Sequence, residues 1–213
     1  MTADTLNAYW WLPLAAYLIG STPFGYMVAR RAGQGDIRAA GSGNVGATNV
    51  ARVAGAAAGA LTLILDAGKG ALSVWLAARL TGDSSFWMIA GALGAIVGHI
   101  FPIWLGGRGG RGVATGFGAF LLICWPAALA ALGAWLIVVA VSRYVSLGSL
   151  LATASLPVLV YFLYAPGHAP AHSVSIGTTL GAILIILKHR PNIARLVAGT
   201  ESQIRFHADD SRS

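Results

Sequence analysis

Apolar residues run along this chain in long blocks, and the charged residues fall between the blocks. The longest block, Tyr144–Leu187, holds 44 residues without one Asp, Glu, Lys or Arg. An aqueous domain needs charge on its surface, so the solvent of such a stretch is lipid. It breaks near its middle at YAPGHAPAHS, which predicts two spans joined by a short Pro/Gly turn. Ala8–Ala29 gives 22 residues, enough for one helix at about 20 residues per crossing. Val53–Ala78 gives another, interrupted only by Asp66 and Lys69, and Ser84–Gly107 a third. Gly112–Ser142 has 31 residues with Trp125-Pro126 in the middle, readable as one long span or as a hairpin of two shorter helices. The pattern predicts an all-α polytopic membrane protein, one integral-membrane domain over residues 1–213.

Charge decides between one span and a hairpin at 112–142. With a hairpin the chain crosses about seven times. Twelve basic residues (Arg30, Arg31, Arg38, Arg52, Arg108, Arg111, Arg143, Lys188, Arg190, Arg195, Arg205 and Arg212) then share one side, with Arg79 opposite and Lys69 embedded. With a single span the split is six against seven and the asymmetry disappears. The hairpin is therefore expected, with the basic side cytoplasmic, the N-terminus outside and the C-terminus inside. Its halves are short, about 21–26 Å at 1.5 Å per residue. No basic residue precedes the first apolar block, so MTADTLNAYWW does not read as a cleavable signal.

Composition adds two exclusions. Only 10% of residues are charged, against roughly 25% in soluble domains, and the single Cys124 lies inside an apolar run, so no disulfide framework is expected. The net charge of +7 sits in short loops beside apolar spans, which suits an anionic leaflet or anionic substrates and not nucleic acid.

Four polar segments converge on the basic side. GSGNVGATNVAR (41–52) offers Ser42, Asn44, Thr48 and Asn49 among glycines that include Gly43. It matches GxGxxG formally, but no strand precedes it and Asp66 lies within a span, so a dinucleotide loop is excluded. An anion-binding loop feeding a helix start fits better. GGRGGRGVAT (106–115) places Arg108 and Arg111 among Gly109, Gly110 and Gly112 and ends at Thr115; backbone N–H groups flanked by guanidinium groups predict a phosphate cradle. His99 stands just upstream. SRYVSLGSL (142–150) supplies Ser146 and Ser149, as caps or as substrate contacts. HRPNIARLVAGTE (189–201) carries His189, Asn192, Arg195 and Glu201, with Pro191 marking a helix boundary. Asp66 and Lys69, three apart in a span, are expected to pair or to face a polar cavity.

Together these segments resemble the PlsY family, bacterial membrane acyltransferases that move an acyl chain from acyl phosphate to glycerol 3-phosphate. The resemblance rests on 41–52, on GHIFP followed by GGRGGRGVAT at 98–115, and on 189–201. It implies that Ser42, Arg52, His189 and Asn192 are catalytic and that the glycine loop at 106–112 binds glycerol 3-phosphate. Glu201 is implied to support structure; apart from the resemblance, Asp66, Lys69 and His99 read as supporting residues, with a role in the site as the alternative. It also implies a bacterial inner-membrane location with the site facing the cytoplasm and no obligate protein partner. Arg108 and Arg111 stand where the family commonly has Lys, and Val45 where it has Pro; charge is kept, but a planar fork replaces a point charge. Acyl phosphate is a mixed anhydride and already activated, so neither cofactor nor metal nor covalent nucleophile is required. A small anion transporter is the other class to which intramembrane Asp66 and Lys69 would suit. The crowding of motifs on one side and the lack of an internal repeat argue against it.

Overall fold

The computed structural model describes residues 8–164 and 170–204, and every regular element among them is helical. Helix α1 (Leu12–Ser21) stops at Thr22-Pro23 and α2 (Phe24–Arg31) restarts at once. The expectation of one unbroken helix over 8–29 is thereby corrected. Pro23 brings no N–H, and Thr22 is driven to ψ 116°. The carbonyl of Thr22 accepts from the Phe24 N–H at 3.1 Å and from the Lys69 ammonium at 2.9 Å.

A 3-10 turn at Ile37–Ala39 precedes α3 (Ala47–Ala54), which is parted from α4 (Ala56–Thr81) at Gly55, where φ is +91°. Then follow α5 (Ser85–Ile100), a 3-10 turn at Ile103–Leu105 and α6 (Val113–Ile123). The last four are α7 (Trp125–Ser142), α8 (Val145–Leu163), α9 (His172–Lys188) and α10 (Arg190–Val197). Among the described residues, five segments are long and apolar enough to cross a bilayer: Leu12–Arg31, Ala56–Thr81, Ser85–Leu105, Trp125–Ser142 and Val145–Leu163; α6 and α9 are shorter and apolar.

The break expected within 112–142 is present. Cys124 leaves helical space at ψ 80°, and Pro126 sits in the first turn of α7, where its missing N–H costs nothing. The two halves are unequal, however. The 11 residues of α6 rise about 16 Å, roughly half of a hydrocarbon core of about 30 Å. The turn expected at YAPGHAPAHS falls between α8 and α9, although its residues 165–169 lie outside the described residues, as do Arg205 and Arg212 of the charge count.

Helix α1 lies along α5, α4 packs on α5 and α6, α7 on α8, and α9 on α5 and α8. The crossing of α4 and α6 brings backbones together: a methyl group on Gly70 would strike the Thr115 carbonyl, and one on Gly118 would strike Ala67. Ile64, Ile137 and Phe162 are about two-thirds exposed, while Thr62, Asp66, Lys69, Ser73 and His99 are buried. Apolar outside and polar inside is the arrangement lipid demands.

Candidate active site

A cavity of about 830 Å³ opens where the loops between α2 and α3, between α5 and α6, and after α10 meet the starts of α6 and α8. Its two ends differ chemically. Loop residues make one end polar, and Phe117, Phe120, Ala128, Leu132 and Leu156 make the other apolar. Leu63 and Ile64 belong both to the cavity wall and to the exposed apolar face of α4, so the apolar end reaches the lipid side.

Asn49 organises the first loop. It is 2% exposed and sits in the first turn of α3. Its Oδ1 accepts from the Ser42 N–H at 2.8 Å, and its Nδ2 donates to the carbonyls of Asn44 at 2.8 Å and Ala40 at 3.1 Å. Gly41 passes so close (φ +59°) that a methyl there would strike Asn49 Oδ1. Asn44 Oδ1 accepts from the Gly46 N–H at 3.0 Å. Thus Asn49 borders the cavity, yet its amide is engaged by its own loop. The result is to hold Ser42, Gly46, Thr48 and Arg52 on the cavity wall. Gly43 does not reach that wall.

The glycine loop corrects an expectation. Its N–H groups from Gly106 to Gly110 do not point at a ligand; they close on the carbonyls of Ile103, Pro102, Leu105, Ile100 and His99 respectively. The loop is a C-terminal cap for α5 and the turn after it. Arg108 is exposed and, with Gly109 and Gly110, lies off the cavity wall. Arg111, Gly112, Val113 and Ala114 do line it. Gly112 turns the chain at φ +87° and the first helix-forming bond of α6 runs from Gly116 to its carbonyl. The opening N–H groups of α6 are therefore the free donors, beside the Arg111 side chain. Thr115 is fully buried against α4 and away from the cavity, so the contact expected from it is absent.

Ser146 and Ser149 face the cavity from the start of α8 and cap nothing. Ser142, at the end of α7, accepts from the Tyr144 N–H in the turn between the two helices. Ser149 Oγ accepts from Trp135 Nε1 at 3.2 Å. His189 closes α9: it is 1% exposed, and its Nδ1 lies 2.8 Å from the Ile185 carbonyl. A carbonyl only accepts, so Nδ1 carries the proton and Nε2 holds the lone pair. Asn192, 1% exposed on α10, donates to Glu201 Oε1 at 2.7 Å, and Arg195 Nε donates to Glu201 Oε2 at 2.6 Å. Glu201 thus ties the last segment to α10, as a supporting residue would.

Arg52, Arg111 and Arg195 share this end with one carboxylate, Glu201. Burial lowers the Arg111 pKa to about 10; Glu201 opposes the change, and Arg195 and Arg52 reinforce it. For Glu201, burial acts upward, but the hydrogen bonds from Asn192 and Arg195 outweigh it and the pKa is lowered. Burial also lowers His189 to about 4, against the pull of its bond to Ile185, with Arg111 adding to the drop. An excess of converging guanidinium groups calls for an anionic ligand. Deeper in, Asp66 and Lys69 pair at 3.0 Å, as their spacing predicted, and His99 Nδ1 stands 3.5 Å from the same Asp66 oxygen.

The sequence named Arg195 in its segment without giving it a role; it follows Asn192 by three positions on α10 and so shares its side of that helix. Another wall residue was not singled out at all. Trp135 lies within an apolar helix, with no local signal.

Residues 10–199 match the family model described as glycerol-3-phosphate acyltransferase. A glycerol-3-phosphate acyltransferase of Rhodospirillum rubrum is 46% identical over 198 residues, covering 90% of this chain and 88% of its own. One of Gluconobacter oxydans is 46% identical over 196 residues, covering 91% and 92%. The chain is also similar to crystal structures of PlsY, an integral membrane glycerol 3-phosphate acyltransferase. The glycerol 3-phosphate form aligns with TM-score 0.86 and 35% identity, covering 93% of this chain and 96% of that one. The lysophosphatidic acid form aligns with TM-score 0.83.

Proposed function

Since this chain belongs to the glycerol-3-phosphate acyltransferase family, as an integral membrane enzyme, we propose that its acyl donor is acyl phosphate. The products are then lysophosphatidic acid and inorganic phosphate. The observation that carries this reading is the two-ended cavity. Three guanidinium groups and the opening N–H groups of α6 suit two phosphate-bearing substrates, and an apolar arm reaching the lipid side suits a fatty chain. The reaction faces the cytoplasm in a chain of seven crossings, with its N-terminus outside.

In this scheme the primary hydroxyl of glycerol 3-phosphate attacks the acyl carbonyl carbon. A new C–O ester bond forms, the C–O bond to phosphate breaks, and phosphate leaves with the electron pair. Arg52 and Arg111 hold phosphoryl groups, and Ser42 and Asn192 orient substrate. His189 Nε2 accepts a hydrogen bond from the attacking hydroxyl. It is a weak base with a pKa of about 4, whereas a phosphate monoester has a second pKa near 6. The proton therefore passes to a phosphate oxygen of the substrate, and His189 acts by orientation.

The test uses purified protein in detergent and follows inorganic phosphate released from acyl phosphate. Release that depends on added glycerol 3-phosphate supports the donor assignment. Acylation with an acyl thioester but not with acyl phosphate overturns it.

A further inference from the structure

The transfer scheme gives no task to the buried cluster of Asp66, Lys69 and His99. As a source of stability it is a poor one, because charges withdrawn from water recover little when paired. Its position is more informative. Lys69 is fixed by Asp66 and by the Thr22 carbonyl at the break between α1 and α2. Asp66 in turn faces the Nδ1 side of His99 at 3.5 Å. The opposite, Nε2 side of the ring lies directly under Gly110, so closely that a methyl group at Gly110 would strike it. The main chain repeats the contact, with the Gly110 N–H donating to the His99 carbonyl at 3.1 Å. The next residue is Arg111.

We propose that His99, pinned by Asp66, is a positioning residue for Arg111. The ring sets the height at which Gly110 crosses the end of α5, and that height aims the Arg111 guanidinium at the phosphoryl group of glycerol 3-phosphate. Any side chain at position 110 would lift the loop off the ring, which accounts for glycine there although its N–H binds no ligand. Without Asp66 the ring would lose the polar contact on its Nδ1 side. The inference rests on the function proposed above, to which it adds the support of one phosphate contact.

Two variants approach the contact from opposite sides. His99→Asn keeps an N–H donor near the Nδ1 position for Asp66 and removes the ring edge beneath Gly110. Gly110→Ala leaves all three polar side chains in place and pushes the loop away. In each, KM for glycerol 3-phosphate should rise about tenfold, with the change carried by KM and not by kcat. The dissociation constant of glycerol 3-phosphate, measured by calorimetry without acyl donor, should rise by the same factor. In an Arg111→Ala background neither substitution should weaken binding further, because the residue through which they act is gone. A purely structural role would instead lower the unfolding temperature and leave that dissociation constant unchanged, or would add to the Arg111→Ala effect; either result overturns the proposal. Should His99→Asn fail to fold, Gly110→Ala carries the same three readouts. A wild-type protein that binds glycerol 3-phosphate but does not use acyl phosphate would refute the donor assignment alone, since the calorimetric comparison remains.

Discussion

His189 uses one ring nitrogen on a carbonyl of its own helix, so a single nitrogen is left to meet a substrate. That division makes a sharp expectation. His189→Gln presents a carbonyl oxygen that still accepts a hydrogen bond but removes no proton, and it should retain a substantial fraction of kcat. A loss near 10⁴-fold with unchanged substrate binding would instead identify His189 as the base. The same residue predicts an acid-sensitive fold. Its pKa falls from 6.5 to about 4 on folding, so the unfolded chain binds more protons between those values. The stability from neutral His189 is complete above the unfolded value and is lost as pH falls toward the folded one. The lowered Glu201 pKa acts in the same direction at still more acid pH. The unfolding temperature in detergent should fall from pH 6.5 toward pH 4, and less steeply in His189→Gln. For the arginines, Arg52→Ala or Arg111→Ala each leaves a phosphate charge without a partner. That costs about 1.5–3 kcal/mol, or roughly 10–150-fold in the affected kinetic constant. Arg111→Lys should recover much of the activity, because charge is retained while the fork is lost. Steady-state kinetics on the three variants checks both statements.

Elements here are shaped by their breaks. Pro23, Gly55 and the Cys124–Pro126 step cut apolar blocks into pieces, and the first cut turns the Thr22 carbonyl to the buried Lys69. The blocks, the break within 112–142 and the boundary at Pro191 were legible, because they follow from charge-free length and from the missing N–H of proline. The cut at Thr22-Pro23 was not, since counting uncharged residues is blind to a helix that stops and resumes. The fate of the 106–110 N–H groups was also hidden. Glycine spacing shows that a loop can turn tightly, but the carbonyls it meets belong to Ile100 and Pro102, whose position depends on the end of α5. Asn49 is the clearest case. Its residue type suggested a ligand contact, and only the folded loop shows all three of its bonds closing on backbone. Asn49→Leu should therefore expose that dependence. It would leave the Ser42 N–H and the Asn44 carbonyl without their partner, while the Ala40 carbonyl keeps the Gly43 N–H, at up to about 1–3 kcal/mol for each group left unsatisfied. Lower thermal stability together with weakened substrate use is expected, where a pure ligand role would spare stability.

For the whole molecule, the distribution of Lys and Arg is the feature that orients every other one. Reporter fusions after Arg52, Arg111 and Arg143 should all report the cytoplasm. A signal from the far side at Arg143 would remove the hairpin assignment of 112–142. The apolar arm of the cavity touches the exposed wall of α4 at Leu63 and Ile64, while the arginines sit at the basic end. On the function and orientation proposed above, a newly made lysolipid would lie head toward the cytoplasm and tail toward the bilayer before its release. It would slide out sideways already matched to the monolayer beside it, with no need to tumble. Each turnover would then add area to the inner monolayer alone. The two faces of the membrane can keep pace only if other machinery carries lipid across, so the geometry of this one cavity makes bilayer growth a lopsided process at its source.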